Sequence, residues 1–396
     1  MNCEKIGFGL YIMSVKENSE PYFAESLKVI EEIRELPDTK GFYNAAVFEV
    51  ETKDGSGKII HLLGRQVKTA GGEGKPDAGS LVLKTLGPDG NIASSKEVWR
   101  PNDEDNSVED ARALVSRHGV IDIGFTFVTR EDGKITPRPA ILKIRSVEEL
   151  AEGLYNLKII KFLGGTAIGR NFTDQKSLKG PLERMLPKLK VIKDIIGDET
   201  TPLGEEDIDI STGKNVTAIS TDQYDQYVYR PEGKDNNHCL RVFEYRQDQD
   251  KVSHKQYLHF PNVPPWAEFK IGTTMPPVWL NKNEAFFPIH GIKMVDGKYV
   301  YSIGTARLLR DENGIFSVDN ISQEPIIEPD LFNGMFKSDE IELHNERRVV
   351  YCCGGIPNYY DNGKPKNVKM FINRGDTQTF EVTVSMEKII KSWQRS

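Results

Sequence analysis

Glu109-Asp110-Ala111-Arg112 puts two carboxylates and a guanidinium within four residues, at the mouth of an apolar stretch that reads as a strand from Ala113 to Thr129. Breaking a glycosidic bond takes a carboxyl group that can protonate the leaving oxygen, held where a cation orients it. The run supplies both. A solvated turn ahead of a strand has the same composition, so its meaning rests on what the rest of the chain brings to it.

The elements that would position such a group are mostly strands. From Phe42 onward the chain is written in short apolar runs broken by Asp54-Gly55, Asp89-Gly90, Asp132-Gly133, Asp296-Gly297, Asn313-Gly314 and Asn362-Gly363. These dipeptides favour the positive-φ pairs of tight hairpin turns, so each predicts an antiparallel hairpin. Their early spacing suits the about 40–50 residues of a propeller blade. Two segments depart from this texture. Ser19–Leu36, with Ser19 as cap and Phe23, Leu27, Ile30 and Ile33 at helical spacing, predicts an amphipathic helix stopped by Pro37. Residues from about 147 to 213 start with a short helix or crossover at Ser146–Leu157, then turn Lys/Leu-rich and acidic, and read as a surface insertion. A short helix, Met386–Trp393, follows the last strand.

The net charge of −7, with both signs interspersed, argues against a nucleic-acid surface but leaves room for a local basic pocket. Cys3, Cys239, Cys352 and Cys353 have no metal or CxxC spacing, and Cys352-Cys353 in an apolar strand predicts buried, reduced thiols. The N-terminus lacks a secretory pattern and no window reaches the ~18 apolar residues of a membrane span, so a cytoplasmic location without membrane contact is expected.

Taken in order, Asn44-Ala45-Ala46, Gly64-Arg65, Ser80-Leu81, Pro88-Asp89-Gly90, Glu109-Asp110-Ala111-Arg112, Lys214-Asn215, Arg230-Pro231, Lys270-Ile271-Gly272 with Pro276-Pro277, His290-Gly291 and Gly375-Asp376-Thr377 form a set. The set resembles glycoside hydrolase family 130, the inverting β-mannoside phosphorylases and their hydrolytic relatives. The resemblance implies an all-β fold, a five-bladed β-propeller with its active site in the central funnel. It divides the chain into an N-terminal helical extension (1–40) and a single catalytic propeller (41–396) carrying the insertion. By the same resemblance Asp110 is the general acid, although Ala111 stands where the family has proline. Asn44, Arg65, Glu109, Arg112, Asn215 and Asp376 fall among sugar-binding positions. Arg230, Lys270 and His290 fall on phosphate-binding ones, with Lys214 near a family arginine. The implied partners are a β-mannoside oligosaccharide and inorganic phosphate as co-substrate, with no metal or organic cofactor. The N-terminal helix would pack against the body of the protein, with a lid or the contact of a homo-oligomer as the alternatives.

The basic set also has a physical reading. An inverting hydrolase needs a second carboxylate, ~6.5–9.5 Å from the acid, to activate water. A phosphorylase needs no base, because phosphate is already anionic; it needs cations to hold that phosphate for in-line attack. Arg230 offers a planar fork, Lys270 a point charge and His290 a donor. These residues favour phosphorolysis. An inverting β-mannosidase with Glu109 or Asp376 as base, and a propeller that binds glycans without turnover, are the alternatives. Trp266 and Trp279 are candidates for stacking on sugars or for the core.

Overall fold

The computed structural model describes residues 2–6, 10–14, 29–67, 79–100, 106–116, 118–131, 134–151, 158–163, 166–171, 212–220, 225–232, 237–246, 251–332, 348–375 and 378–393. Five antiparallel blades are arranged in a ring. Blade I comprises Phe42–Glu51, Lys58–Gln66, Ser80–Leu86 and Ile92–Trp99. Blade II is built on Asn106–Val115, Ile121–Glu131 and Lys134–Ile144. Blade III has Gly213–Ser220, Asp225–Pro231, Cys239–Arg246 and Lys251–His259. Blade IV has Lys270–Thr273, Glu284–Val295, Lys298–Arg310 and Phe316–Asp319, with Val278–Asn281 paired beside Glu284–Val295. Blade V has Val350–Tyr359, Pro365–Arg374, Gln378–Ser385 and, as its fourth strand, Ile30–Glu35. A hairpin of Asn2–Ile6 and Leu10–Ser14 extends the same sheet beyond that strand.

Five apolar cores lie between the blades, and their membership shows the ring to be closed. Consecutive residues of one strand point to opposite neighbours, as the two-residue period of a strand requires. Phe286 packs with blade V and Phe287 with blade III. Leu63 faces blade II, whereas Leu62 faces Ile356 and Phe371 of blade V. Both faces of these strands are buried, each large side chain contributing about 1.5–3 kcal/mol. The turn dipeptides are where hairpins were expected, apart from Asp132-Gly133, which lies outside the described residues. Asp296-Gly297, both at positive φ (51° and 71°), joins two strands of blade IV.

Three expectations change. The helix read over Ser19–Leu36 ends in a strand: Ile30–Glu35 pairs with Gln378–Ser385 and supplies the fourth strand of blade V. Residues 19–28 lie outside the described residues. The strand is favoured because Gln378–Ser385 otherwise exposes an edge, and pairing there buries Ile33 and satisfies the backbone. A boundary at residue 40 therefore does not separate an extension from the propeller. Ala113–Thr129 is not one strand but the end of Asn106–Val115, a turn at residues 116–120, and Ile121–Glu131. The insertion is part of the sheet system: after a helix at Val147–Ala151, the hairpin Lys158–Leu163/Thr166–Asn171 pairs with Lys134–Ile144 on one side and Lys251–His259 on the other. Blades II and III thereby share one sheet. Residues 172–211 lie outside the described residues.

A second clasp joins these two blades. The Tyr227 hydroxyl of blade III donates to Asp122 of blade II, and Lys143 of blade II bridges Asp122 (3.1 Å) and Asp225 of blade III (2.5 Å). The cluster borders a cavity of about 410 Å³ by the turn at residues 116–120. Burial pushes the Asp122 carboxyl up to about 6, against the pull of Lys143. The protonated form is thus favoured by folding. Its contribution is present below pH ~4 and lost as pH rises through ~6, a change of up to about 3 kcal/mol. Asp122→Asn keeps an acceptor for Tyr227 and removes the charge. Relative to wild type, the variant should gain stability between pH 4 and pH 7.5 in denaturant unfolding. A difference independent of pH would mean that Lys143 keeps Asp122 ionised in the folded protein.

Candidate active site

The innermost strands of blades I, II and III each carry the same irregularity. Their pairing skips from Tyr43 to Ala46, from Glu109 to Arg112 and from Lys214 to Thr217. The first skipped residue is in each case Asn or Asp at positive φ: Asn44 at 53°, Asp110 at 53° and Asn215 at 61°. Short Asx side chains tolerate this conformation best. A bulge breaks the alternation of side chains and re-aims one of them. Asn44 and Asp110 are joined by a hydrogen bond, and Asn215 meets Tyr351, which also bonds Arg112.

Asp110, 9% exposed, accepts a 2.7 Å hydrogen bond at Oδ1 from Asn44 Nδ2. Asn44 is fixed in turn by its own N–H, which donates to Asn373 Oδ1 of blade V at 2.8 Å. Blade V thereby sets the residue that orients the blade II acid. Ala111 does not loosen this turn, because the Arg112 guanidinium donates to the Asp110 carbonyl at 2.7 Å. Arg112 is fully buried and also donates to the carbonyls of Thr273 and Thr274 in blade IV and to the Tyr351 hydroxyl in blade V. It is a brace tying three blades together beneath the acid.

Glu109 pairs with Arg65 at 3.6 Å and accepts from Ser107 at 2.9 Å. Burial works to raise its carboxyl, but Arg65 and Lys214 outweigh it and hold the group below the usual glutamate range. Arg65 also lies over the Tyr43 ring, 5.0 Å from its centroid. Glu109 is therefore an anion within an ion network.

Arg230 and Lys270 converge on Glu232, and Lys214, paired across the strand with Arg230, adds its charge from further away. Arg230 meets one carboxylate oxygen at 3.2 Å and Lys270 the other at 3.3 Å. Burial tends to raise the Glu232 carboxyl, yet Arg230, Lys270 and Lys214 together hold it below its ordinary value. Burial, reinforced by Arg230, lowers the Lys270 ammonium against the pull of Glu232. His290 lies beside this cluster. Burial, with Arg230 and Arg112 close by, pushes its imidazole well below the usual range, so the ring is neutral. Nδ1 lies 3.1 Å from the Thr273 carbonyl and must carry the proton there. Nε2 is left as an acceptor, 3.4 Å from an Arg230 nitrogen. In this arrangement His290 Nε2 faces Arg230. Gly272 makes this possible, since a Cβ there would stand 2.3 Å from His290 Cε1.

Asn215 and Tyr351 connect the two halves. Asn215 donates through Nδ2 to the Tyr351 hydroxyl, which also accepts from Arg112 at 2.7 Å, leaving the phenol proton free to donate. Burial raises the Tyr351 phenol well above its usual value, so it stays protonated. Among the described residues Asn44 Oδ1, Asn215 Oδ1 and Arg230 Nε are buried without a hydrogen-bond partner, as are atoms of Gln226, His238, Arg241, Glu244 and Ser302. Buried polar atoms are nearly always paired, and the first three of these unpaired atoms lie on residues gathered around Asp110 and Arg230.

Sequence reasoning missed Glu232, Tyr351 and Asn373. Glu232 carried one signal, its spacing of two residues from Arg230, which puts both on the same side of an extended segment. Asp376 lies outside the described residues. Trp266 and Trp279 belong to the packing: Trp266 is buried against Gly291 and Gly304, and Trp279 donates to the Ile219 carbonyl across the blade III–IV junction at 3.0 Å. Cys352 and Cys353 are buried free thiols, with burial pushing Cys352 up to about 12. Among the described residues no group of His, Cys, Asp and Glu is placed to hold a metal, and no helix is long and apolar enough to cross a membrane.

No protein-family model matches the chain, and no curated protein matches it in sequence. Solved structures do match. A β-1,2-mannobiose phosphorylase from Listeria innocua, in complex with β-1,2-mannobiose, superposes with a TM-score of 0.54 at 13% identity, covering 92% of this chain and 94% of that one. A glycosyl hydrolase from Bacteroides ovatus superposes with a TM-score of 0.52 at 15% identity, covering 87% and 84% respectively. The arrangement of blades in this chain is the β-propeller fold that these two proteins share.

Proposed function

We propose that this chain is a β-mannoside phosphorylase of the glycoside hydrolase family 130 type, cleaving or building a β-mannosidic bond with inorganic phosphate. One observation supports the reading: a carboxyl group held by Asn44 is tied through Arg112 and Thr273 to a site where two cations, Arg230 and Lys270, converge on a single anion. A phosphorylase needs that pairing of acid and anion pocket. Asp110 gives its proton to the glycosidic oxygen, directly or through a sugar hydroxyl. A phosphate oxygen held by Arg230, Lys270 and Lys214 attacks the anomeric carbon from the opposite face as the carbon–oxygen bond to the leaving sugar breaks. The product is α-mannose 1-phosphate, with inversion. Asn44 Oδ1, Asn215 Oδ1 and the Tyr351 phenol are the groups that meet sugar hydroxyls. Two glycan-active proteins of the same fold support a carbohydrate substrate.

The test is release of phosphate from α-mannose 1-phosphate in the presence of mannose, mannobiose, glucose or N-acetylglucosamine. Release matched by a new disaccharide is expected, and the best acceptor identifies the physiological bond. Glu232 in the cation cluster keeps one rival open, a mannosidase that uses this carboxylate to activate water. Mannose set free from a β-mannoside without phosphate would decide for that rival.

A further inference from the structure

The anion inside the cation cluster belongs to the chain itself. Glu232 holds Arg230 and Lys270 at once, one through each carboxylate oxygen, at 3.2 and 3.3 Å. A phosphate oxygen pair would meet the two cations in the same way. The Glu232 side chain is 30% exposed, against 9% for Arg230 and 17% for Lys270, so the carboxylate lies on the open side with the cations behind it. It sits one residue past the strand Asp225–Pro231, its backbone N–H donates to the Thr212 carbonyl at 3.3 Å, and a swing of its side chain alone leaves that bond in place. Two anions cannot share these cations closely without repelling each other.

We propose that Glu232 is a built-in counter-anion of the phosphate pocket, displaced by phosphate on binding, and that this exchange sets how much phosphate the enzyme requires. The proposal rests on the phosphorylase reading. The exchange is feasible because phosphate offers what the carboxylate does not. Glu232 leaves Arg230 Nε buried and unpartnered. Phosphate has further oxygens to reach it, and its second negative charge draws on Lys214 as well. Until phosphate arrives, Glu232 keeps Arg230 and Lys270 from facing each other as bare like charges in a largely buried site. The pocket is thus held in shape at the expense of apparent affinity. If the displaced state of Glu232 is populated in about a tenth of free molecules, the apparent dissociation constant of phosphate is raised about tenfold.

The experiment is calorimetric titration of inorganic phosphate into wild type, Glu232→Gln and Glu232→Ala at one pH and ionic strength, with thermal melts to establish folding. Gln preserves shape and removes charge; Ala removes both. Tighter phosphate binding by about tenfold or more is expected in both variants. Binding that is unchanged or weaker, in variants that melt cooperatively and beside a wild type that binds phosphate, would overturn the counter-anion and make Glu232 a support for Arg230 and Lys270. The phosphorylase reading would survive that result. If wild type and both variants bind no phosphate, both proposals fall together.

Discussion

Asp110→Asn is expected to lower turnover about 10²–10⁴-fold, the usual worth of a positioned general acid, while the protein remains folded. Asn has the same size, and like Asp it tolerates the 53° φ that the bulge imposes. Its amide oxygen still accepts from Asn44 Nδ2. The bracing of the turn by Arg112 goes to the Asp110 carbonyl, which the substitution leaves in place. What disappears is the transferable proton. The measurement is kcat for disaccharide synthesis from α-mannose 1-phosphate, beside a thermal melt. A variant with near-normal turnover would remove Asp110 from the chemistry and, with it, the phosphorylase assignment.

The second large effect falls on phosphate. Arg230→Ala removes the planar fork of the cluster and leaves His290 Nε2 without its neighbour. A loss of about 10²–10³-fold in kcat/KM for phosphate follows, comparable to removing one preorganised charge-stabilising donor. Arg230→Lys should recover little of it, since a lysine cannot present two parallel N–H groups to neighbouring oxygens. The disaccharide should be bound nearly as before, because its contacts come from Asn44, Asn215 and Tyr351. Initial rates with phosphate and disaccharide varied separately would divide the two effects. An unchanged dependence on phosphate in Arg230→Ala would place the anion elsewhere.

Much of the fold was readable because hairpin turns advertise themselves. Asp54-Gly55, Asp89-Gly90, Asp296-Gly297, Asn313-Gly314 and Asn362-Gly363 each join paired strands. Closure was not readable. Ile30, Ile33 and their neighbours fit a helical face by spacing, and the partner that makes them a strand of blade V lies at the far end of the sequence. Local pattern carries no information about such a partner. The repeat of the blades was equally hidden. What repeats is an Asx followed by a small or branched apolar residue, Asn44-Ala45, Asp110-Ala111 and Asn215-Val216, and two residues are too few to stand out. The charged positions were found as types but not as roles. Sequence shows that an arginine or histidine is present; only burial and neighbours show that Arg112 is a brace and that His290 accepts. Glu232 escaped because a glutamate beside an arginine looks like an ordinary surface pair until both are seen to be largely covered.

The fourth strand of blade V also bears on how the molecule is made. Glu35 and Gln378, which hydrogen-bond across that blade, are 343 residues apart. A ribosome adding about 5–20 residues per second needs roughly 20–70 s to travel that distance. For that interval Ile30–Glu35 has left the ribosome without the blade it completes, a largely charged strand whose Ile33 has no core to enter while blades I to IV are made. The last strands to be synthesised are the ones that retire it. The newborn chain is therefore open to mispairing at this strand, and a chaperone that covers Ile30–Glu35 until blade V is made would protect assembly of the whole ring.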